Sequence, residues 1–273
     1  MSHLRYSRRK SSTVSPHAVF GQLILCLDIS GSLTYFTCIL VALLWRQDPL
    51  DSISSLSARQ IIAATFVLAW CSRLGTYLFK RVLREGKDTR FDKLKQNPLT
   101  FAIPWFMQVL WIFFTALPVF IILGNPGYQQ PSGLIWSDII GIIIWAFGIS
   151  VEAIADLQKS AFKEEHPRDF VNVGIWRWSR YANYNGEITL WIGMLILCAH
   201  GFVEPWQWVG VWSPVFVSLL ICLVSGIPLL EKSSQEKYGD REDYKAYKAA
   251  TSKFFLWPPK KPSVGLISPN DQV

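Results

Sequence analysis

The chain has 273 residues, of which 51% are hydrophobic and only 17% charged, with 13 tryptophans among them. Soluble domains average roughly 25% charged residues. The composition excludes a disordered chain, a collagen-like chain and a disulfide-stapled mini-protein, and it favours a membrane protein over an ordinary soluble enzyme. The net charge of +7 would point to nucleic acid in a soluble domain, but its distribution gives it another meaning here.

Residues 1–18 form a basic tail carrying Arg5, Arg8, Arg9 and Lys10. The lack of acids before Asp28 is weakly like a mitochondrial transit peptide; the simpler reading is a tail that holds the first helix end in the cytoplasm. A bilayer-crossing helix needs about 20 mostly apolar residues. Segments near 19–45, 60–79, 99–123, 134–154, 186–202 and 209–230 qualify, the fifth being the shortest. The chain therefore reads as an all-α, polytopic integral membrane bundle of about six helices. Its transmembrane domain covers 19–257, with a C-terminal module at about 134–257 and a flexible tail at 258–273.

The basic residues alternate between loops. The N-terminal tail, second loop, fourth loop and C-terminal tail hold four, seven, five and eight. The first loop holds two, Arg46 and Arg59, and the third and fifth hold none. Cytoplasmic loops retain Lys and Arg, so both termini are expected in the cytoplasm. The basic excess is thus a topological signal, and no nucleic-acid partner is expected. The five cysteines fall in apolar segments without a CxxC pair, and the four histidines show no ligand spacing. Neither disulfides nor a metal is implied.

Ionisable residues within membrane helices are costly and usually face a bundle interior or a wet cavity. Asp28 falls in the first segment and Arg73 in the second. Glu152, Asp156, Lys159 and Lys163 are spaced to share one helix face, and so are Arg180, Asn183, Tyr184 and Glu187. The two faces are expected to look at each other across a chamber open to the cytoplasm. Such a chamber suits a charged cofactor, and its Trp and Phe walls suit a lipid-soluble substrate. For Glu152, Lys159 and Lys163, snorkelling to the interface is the competing reading.

The run Ser179-Arg180-Tyr181-Ala182-Asn183-Tyr184-Asn185-Gly186-Glu187 resembles the S-R-x-x-N-Y-x-G-E signature of the steroid 5-alpha-reductase-like membrane family. "WCSRLGTYLFKRVLREGKDTRFD" at 70–92, "FMQVLWIFFTALP" at 106–118 and "PLLEKSSQEKYGDREDYKAYKAATSKFFLWPP" at 228–259 are similar to an uncharacterised branch of that family with six or seven spans. The resemblance implies a helical membrane reductase that uses NADPH to reduce a carbon–carbon double bond conjugated to a carbonyl in a steroid, sterol or other lipid. Asn183 resembles the residue that holds the nicotinamide amide, with Glu187 lining the same pocket and Tyr184 beside them. Arg73, Lys87, Asp156, Lys163, Arg180, Tyr244, Tyr247, Lys248 and Lys253 resemble cofactor-facing positions.

Hydride addition leaves negative charge on the carbonyl oxygen, which a hydrogen-bond donor stabilises. In steroid reductases a carboxyl and a tyrosine from early spans do this. Asp28 is the early-span carboxyl here, and Trp70 stands where the tyrosine is expected, so Asp28, Trp70 and Glu187 are the candidate catalytic residues. The expected partners are the bilayer and a lipophilic substrate, with no obligate protein partner. The endoplasmic reticulum is the expected location, a mitochondrial or bacterial inner membrane being the alternative. Two other readings stay open. One is an S-adenosylmethionine-dependent methyltransferase of the isoprenylcysteine or phospholipid type, whose motif is nearer R-H-P-x-Y-x-G. The other is a non-catalytic membrane scaffold.

Overall fold

The computed structural model describes residues 16–45, 55–85 and 98–260. Among them the chain is helical: α1 (Pro16–Leu44), α2 (Ala58–Glu85), α3 (Pro98–Thr115), α4 (Leu117–Gly124), α5 (Trp136–Glu165), α6 (Ala182–Ala199), α7 (Trp212–Leu219), α8 (Ile227–Tyr238) and α9 (Glu242–Ala250). An isolated bridge between Ser179 and Ser252 is the one β-type pairing recorded among these residues. Three helical runs, Ala58–Arg81, Trp136–Glu165 and Pro205–Tyr238, are long and apolar enough to cross a membrane, and the bent pair α3–α4 adds a fourth. The protein is a helical membrane protein. The remaining two expected spans are helices at the expected places, α1 and α6, but do not reach that measure over the described residues. In α6 the cause is composition, because Asn183, Asn185 and Glu187 occupy its first turns.

The third expected span is not one straight helix. It bends by 58° between Thr115 and Leu117. Pro118 has no N–H to give to the preceding turn, so the ladder breaks there. The hydroxyl of Ser213 donates to the carbonyl of Thr115 at 2.5 Å, satisfying an acceptor that the break leaves free in an apolar setting. The last expected span is likewise a composite, in which a π turn at Leu220–Val224 joins α7 towards α8.

The antiparallel pair α5–α6 is the closest in the bundle. Gly141 and Gly148 on α5, one heptad apart, face Gly193 and Gly186 on α6. A Cβ at Gly148 would lie 2.5 Å from the Leu190 nitrogen and 2.8 Å from the Gly186 oxygen. A Cβ at Gly193 would lie 2.5 Å from the Trp145 nitrogen. Small residues at such contacts let membrane helices approach backbone to backbone. Trp70, Trp191, Tyr35, Ile39, Val67 and Leu190, at the centre of the main core, are fully buried between α1, α2 and α6.

The end of the bundle near the N-terminus of α5 is closed by polar side chains. Arg59 makes a bidentate pair with Asp138 at 3.0 and 2.7 Å, both side chains being inaccessible. The sequence reading counts Arg59 as a loop cation. The structure places it inside α2, buried, where its carboxylate partner neutralises it. Gln60 donates to the carbonyls of Ile122 and Asn125, and Asn125 exchanges hydrogen bonds with Gln207.

Candidate functional site

At the opposite end, α2, α5 and α6 bring ionisable groups together inside the bundle. Arg73 Nη1 donates to Asp156 Oδ2 at 2.9 Å, and Nη2 donates to Glu152 Oε1. Glu152 and Asp156 are one turn apart on α5 and both buried. Glu187, on α6, interacts electrostatically with Glu152, Asp156 and Arg73. The close approach at Gly186 brings these groups together: a Cβ there would lie 2.6 Å from the Glu152 nitrogen, so Glu187 sits beside the acids of α5. Three carboxyl groups thus share one guanidinium. Glu152 Oε2, Asp156 Oδ1 and Arg73 Nε are buried without a hydrogen-bond partner.

A cage of aromatic rings adjoins this cluster. Trp70 meets Tyr35 at 5.4 Å, Trp111 at 5.7 Å and Trp191 at 5.0 Å between ring centroids, mostly edge to face. Trp191 lies one turn beyond Glu187 on α6. The buried Tyr35 hydroxyl is in electrostatic reach of Glu187 and approaches Thr115 outside hydrogen-bonding geometry. Tyr35 Oη, Thr115 Oγ1, Trp70 Nε1 and Trp191 Nε1 are all buried and unbonded. Buried polar groups are nearly always satisfied. A concentration of orphaned donors in an apolar cage marks a place where an acceptor belongs.

The segment before α6 is held from two sides. Trp176 Nε1 donates to the carbonyl of Ala155, next to Asp156, at 2.9 Å. Gly174, at φ 52°, turns the chain where the Gln158 amide accepts from the Ile175 N–H at 2.9 Å. From the other side the C-terminal segment is stitched on: the Arg180 N–H donates to Ser252 O at 2.9 Å, Ser179 Oγ to Phe254 O at 2.8 Å and Tyr247 Oη to Trp176 O at 2.7 Å.

The family model of DUF1295, described as a protein of unknown function, matches residues 25–251. The chain belongs to the DUF1295 family. An uncharacterized protein of Schizosaccharomyces pombe is similar, being 25% identical over 230 residues. The match covers 73% of this chain and 64% of that relative, so the chain spans less than two thirds of the relative's length. No solved structure matches the chain.

Within this DUF1295 chain the expected site residues separate into groups. Arg73, Asp156 and Glu187 converge as described, with Trp70 in the adjoining cage. Asn183 and Tyr184 lie half-buried in the first turn of α6, and Asn183 precedes Glu187 by one turn.

Arg180 departs from its expected place. It precedes α6, so it cannot share a helical face with Asn183. It pairs instead with Glu231 at 2.6 Å, and Lys248 reaches the other oxygen of that carboxylate at 3.3 Å. Tyr181 Oη donates to Glu231 as well, at 2.8 Å. Glu231 thus gathers a second polar cluster outside the first.

Lys163 donates to the carbonyls of Pro167 and Asp169, closing the loop after α5. Lys159 lies 5.5 Å over the Trp176 ring. Tyr244 and Tyr247 pack on Phe170, and Lys253 is exposed. Asp28 lies on α1 with its side chain outside what is described, and Lys87 lies outside the described residues.

Sequence reasoning missed Tyr35, Trp111 and Trp191 as neighbours of the acids. Glu152 entered only as part of a stripe. The α6 stripe that carries Glu187 continues to Trp191 at helical spacing, whereas Tyr35 sits in an apolar run without any mark.

Proposed function

We propose that the chain is a membrane reductase that uses NADPH to reduce an activated carbon–carbon double bond of a steroid, sterol or other lipid. The observation that supports this most is the meeting of the Arg73–Glu152–Asp156–Glu187 cluster with a cage holding unsatisfied Tyr35, Trp70 and Trp191 donors. A charged, hydrogen-bonding half adjoins an apolar half, as a polar cofactor and a lipophilic substrate together require.

The residues at the amide end fit a nicotinamide. The carboxamide of Asn183 is both donor and acceptor, at the half-buried N-terminus of α6. The unsatisfied atoms of Glu152 and Asp156 are acceptors for a carboxamide N–H or a ribose hydroxyl. Most of the expected phosphate-side residues are engaged in internal contacts. Lys163, Arg180, Tyr244, Tyr247 and Lys248 fix the loop and tail, and Arg73 is paired with Glu152 and Asp156, so Lys253 and the basic second loop with Lys87 are the residues proposed to offset phosphate charge.

When bound, NADPH supplies the hydride. The chain holds and polarises the acceptor. Tyr35 Oη, Trp70 Nε1 and Trp191 Nε1 donate to the substrate carbonyl and stabilise the negative charge that builds on its oxygen. Asp28 precedes Tyr35 by seven residues on α1, and the family resemblance makes it a further candidate donor. Glu187, between acids and cage, holds the proton that completes the reduction at the carbon next to the carbonyl. With both termini in the cytoplasm, this end of the bundle faces the cytosolic pool of cofactor, and the endoplasmic reticulum is the membrane that fits a sterol or related lipid. Protein purified into lipid discs and incubated with NADPH and a panel of lipophilic enones tests the reading. A product heavier by two hydrogens supports it, and the absence of turnover together with unchanged stability in NADPH removes it.

A further inference from the structure

The C-terminal segment after α9 bends across the bundle and carries both anchored and exposed side chains. Phe254 packs into the main core, and Leu256 packs against the smaller cluster of Ala155, Val171, Trp176 and Ala182. Their neighbours Lys253, Phe255 and Trp257 are exposed, Phe255 to 72% and Trp257 to 70%. The Trp257 N–H donates to the Trp178 carbonyl, which sets Trp257 beside a second exposed tryptophan, with Arg177 exposed next to it. Two large aromatic side chains are thus held outward by a segment whose inner face is firmly anchored. Water is an unfavourable neighbour for such a face, and among the described residues none covers it.

Two further observations indicate what does. The Lys253 ammonium lies in electrostatic range of Cys222, in the π turn of the last membrane run, where Leu223 and Val224 are also exposed. The patch therefore lies on the same side of the molecule as exposed apolar residues at the end of a membrane run. Between Asp243 and Asp271 the chain has five lysines and no acidic residue. Aromatic rings beside lysines are the composition favoured at the headgroup level, and basic clusters there attract anionic lipid.

We propose that Lys253, Phe255, Trp257 and Lys260, with Arg177 and Trp178, form an interfacial foot that rests in the headgroup region and binds anionic phospholipid. Apart from Lys253, which the reductase reading also uses, the foot stands on residues that reading does not involve. Because the same segment is bonded to Ser179 and Arg180, just before Asn183, bound lipid would also steady the start of α6.

Hydrogen exchange of the full chain in discs of phosphatidylcholine, with or without phosphatidylserine, tests this. The expected result is slower exchange across 253–260 with phosphatidylserine, and loss of that difference in the K253E/K260E variant with α5 exchange unchanged. Brominated phosphatidylserine should also quench wild-type emission more than that of W178F/W257F. Equal exchange in both lipids overturns the proposal, as does protection that follows protein density per disc, which would mark a contact between copies. Should the charge-reversed variant fail to fold, the wild-type comparison between lipids and the quenching still decide.

Discussion

Gly148 and Gly186 face each other across α5 and α6 so closely that neither position has room for a methyl group. A Cβ at Gly148 would lie 2.8 Å from the Gly186 oxygen, and one at Gly186 would lie 2.6 Å from the Gly148 oxygen. Both contacts are with backbone, which cannot swing away. The pair sets the depth at which Glu187 stands against Glu152 and Asp156, so the glycines position the site through backbone contact alone.

Gly186→Ala should therefore force the two helices apart. Overpacking of a close contact costs about 1–3 kcal/mol, and the thermal unfolding midpoint in detergent should fall accordingly. Gly124→Ala is the control, because a Cβ there meets nothing within 4 Å; its midpoint should stay near that of the wild type.

Arg59→Ala removes the one cation facing the buried Asp138. Breaking a buried pair on one side costs about 3–5 kcal/mol, because the other charge remains buried without its partner. The double variant Arg59→Met/Asp138→Leu should recover most of that loss. Neither change should alter cofactor affinity, because the pair lies at the opposite end of the bundle from Asp156. Unfolding curves and binding isotherms measured on the same preparations check both statements.

Asp156→Asn and Arg73→Gln should weaken NADPH binding while leaving the helical content intact. A hydrogen bond to a charged group contributes about 1.5–3 kcal/mol, equivalent to a loss in affinity on the order of ten- to a hundredfold. Fluorescence titration of NADPH reads the change, and circular dichroism reads the fold.

Acid should loosen α9. Arg241 donates two hydrogen bonds to Asp243 and one to Asp169. The bonds from Arg241 hold the Asp243 carboxyl below the usual carboxylate range. The folded value lies below the unfolded one of about 3.9, so the stabilisation is present above the unfolded value. It is lost as pH falls through the lowered folded value. Proteolysis of the 239–250 region should accelerate on acidification below about pH 4, and Arg241→Ala should show the accelerated rate already at neutral pH.

The helical class, the positions of the apolar segments and part of each polar stripe were legible in the sequence, because hydropathy and helical spacing are local signals. On α5, Glu152 and Asp156 lie together as the spacing predicts, whereas Lys159 and Lys163 turn to Trp176 and to the loop after the helix. The Asn183 face of α6 holds from Asn183 onward but not at Arg180, because helix spacing does not reveal where a helix begins. The third span reads as one helix in the sequence, without the 58° bend at Pro118, although proline is the local signal for it. The cage around Trp70 was illegible, since Tyr35 and Trp191 are unremarkable in apolar runs and meet only through tertiary packing. Arg59 looked like a loop cation because its partner Asp138 is far away in the chain.

The most direct test of the account is the thermal stability of the purified protein with NADPH, compared with S-adenosylmethionine, in wild type and in Asn183→Ala. The account predicts stabilisation by NADPH alone, abolished by the substitution while the unliganded midpoint is unchanged. Stabilisation by S-adenosylmethionine instead, or an NADPH effect that survives Asn183→Ala, would contradict it.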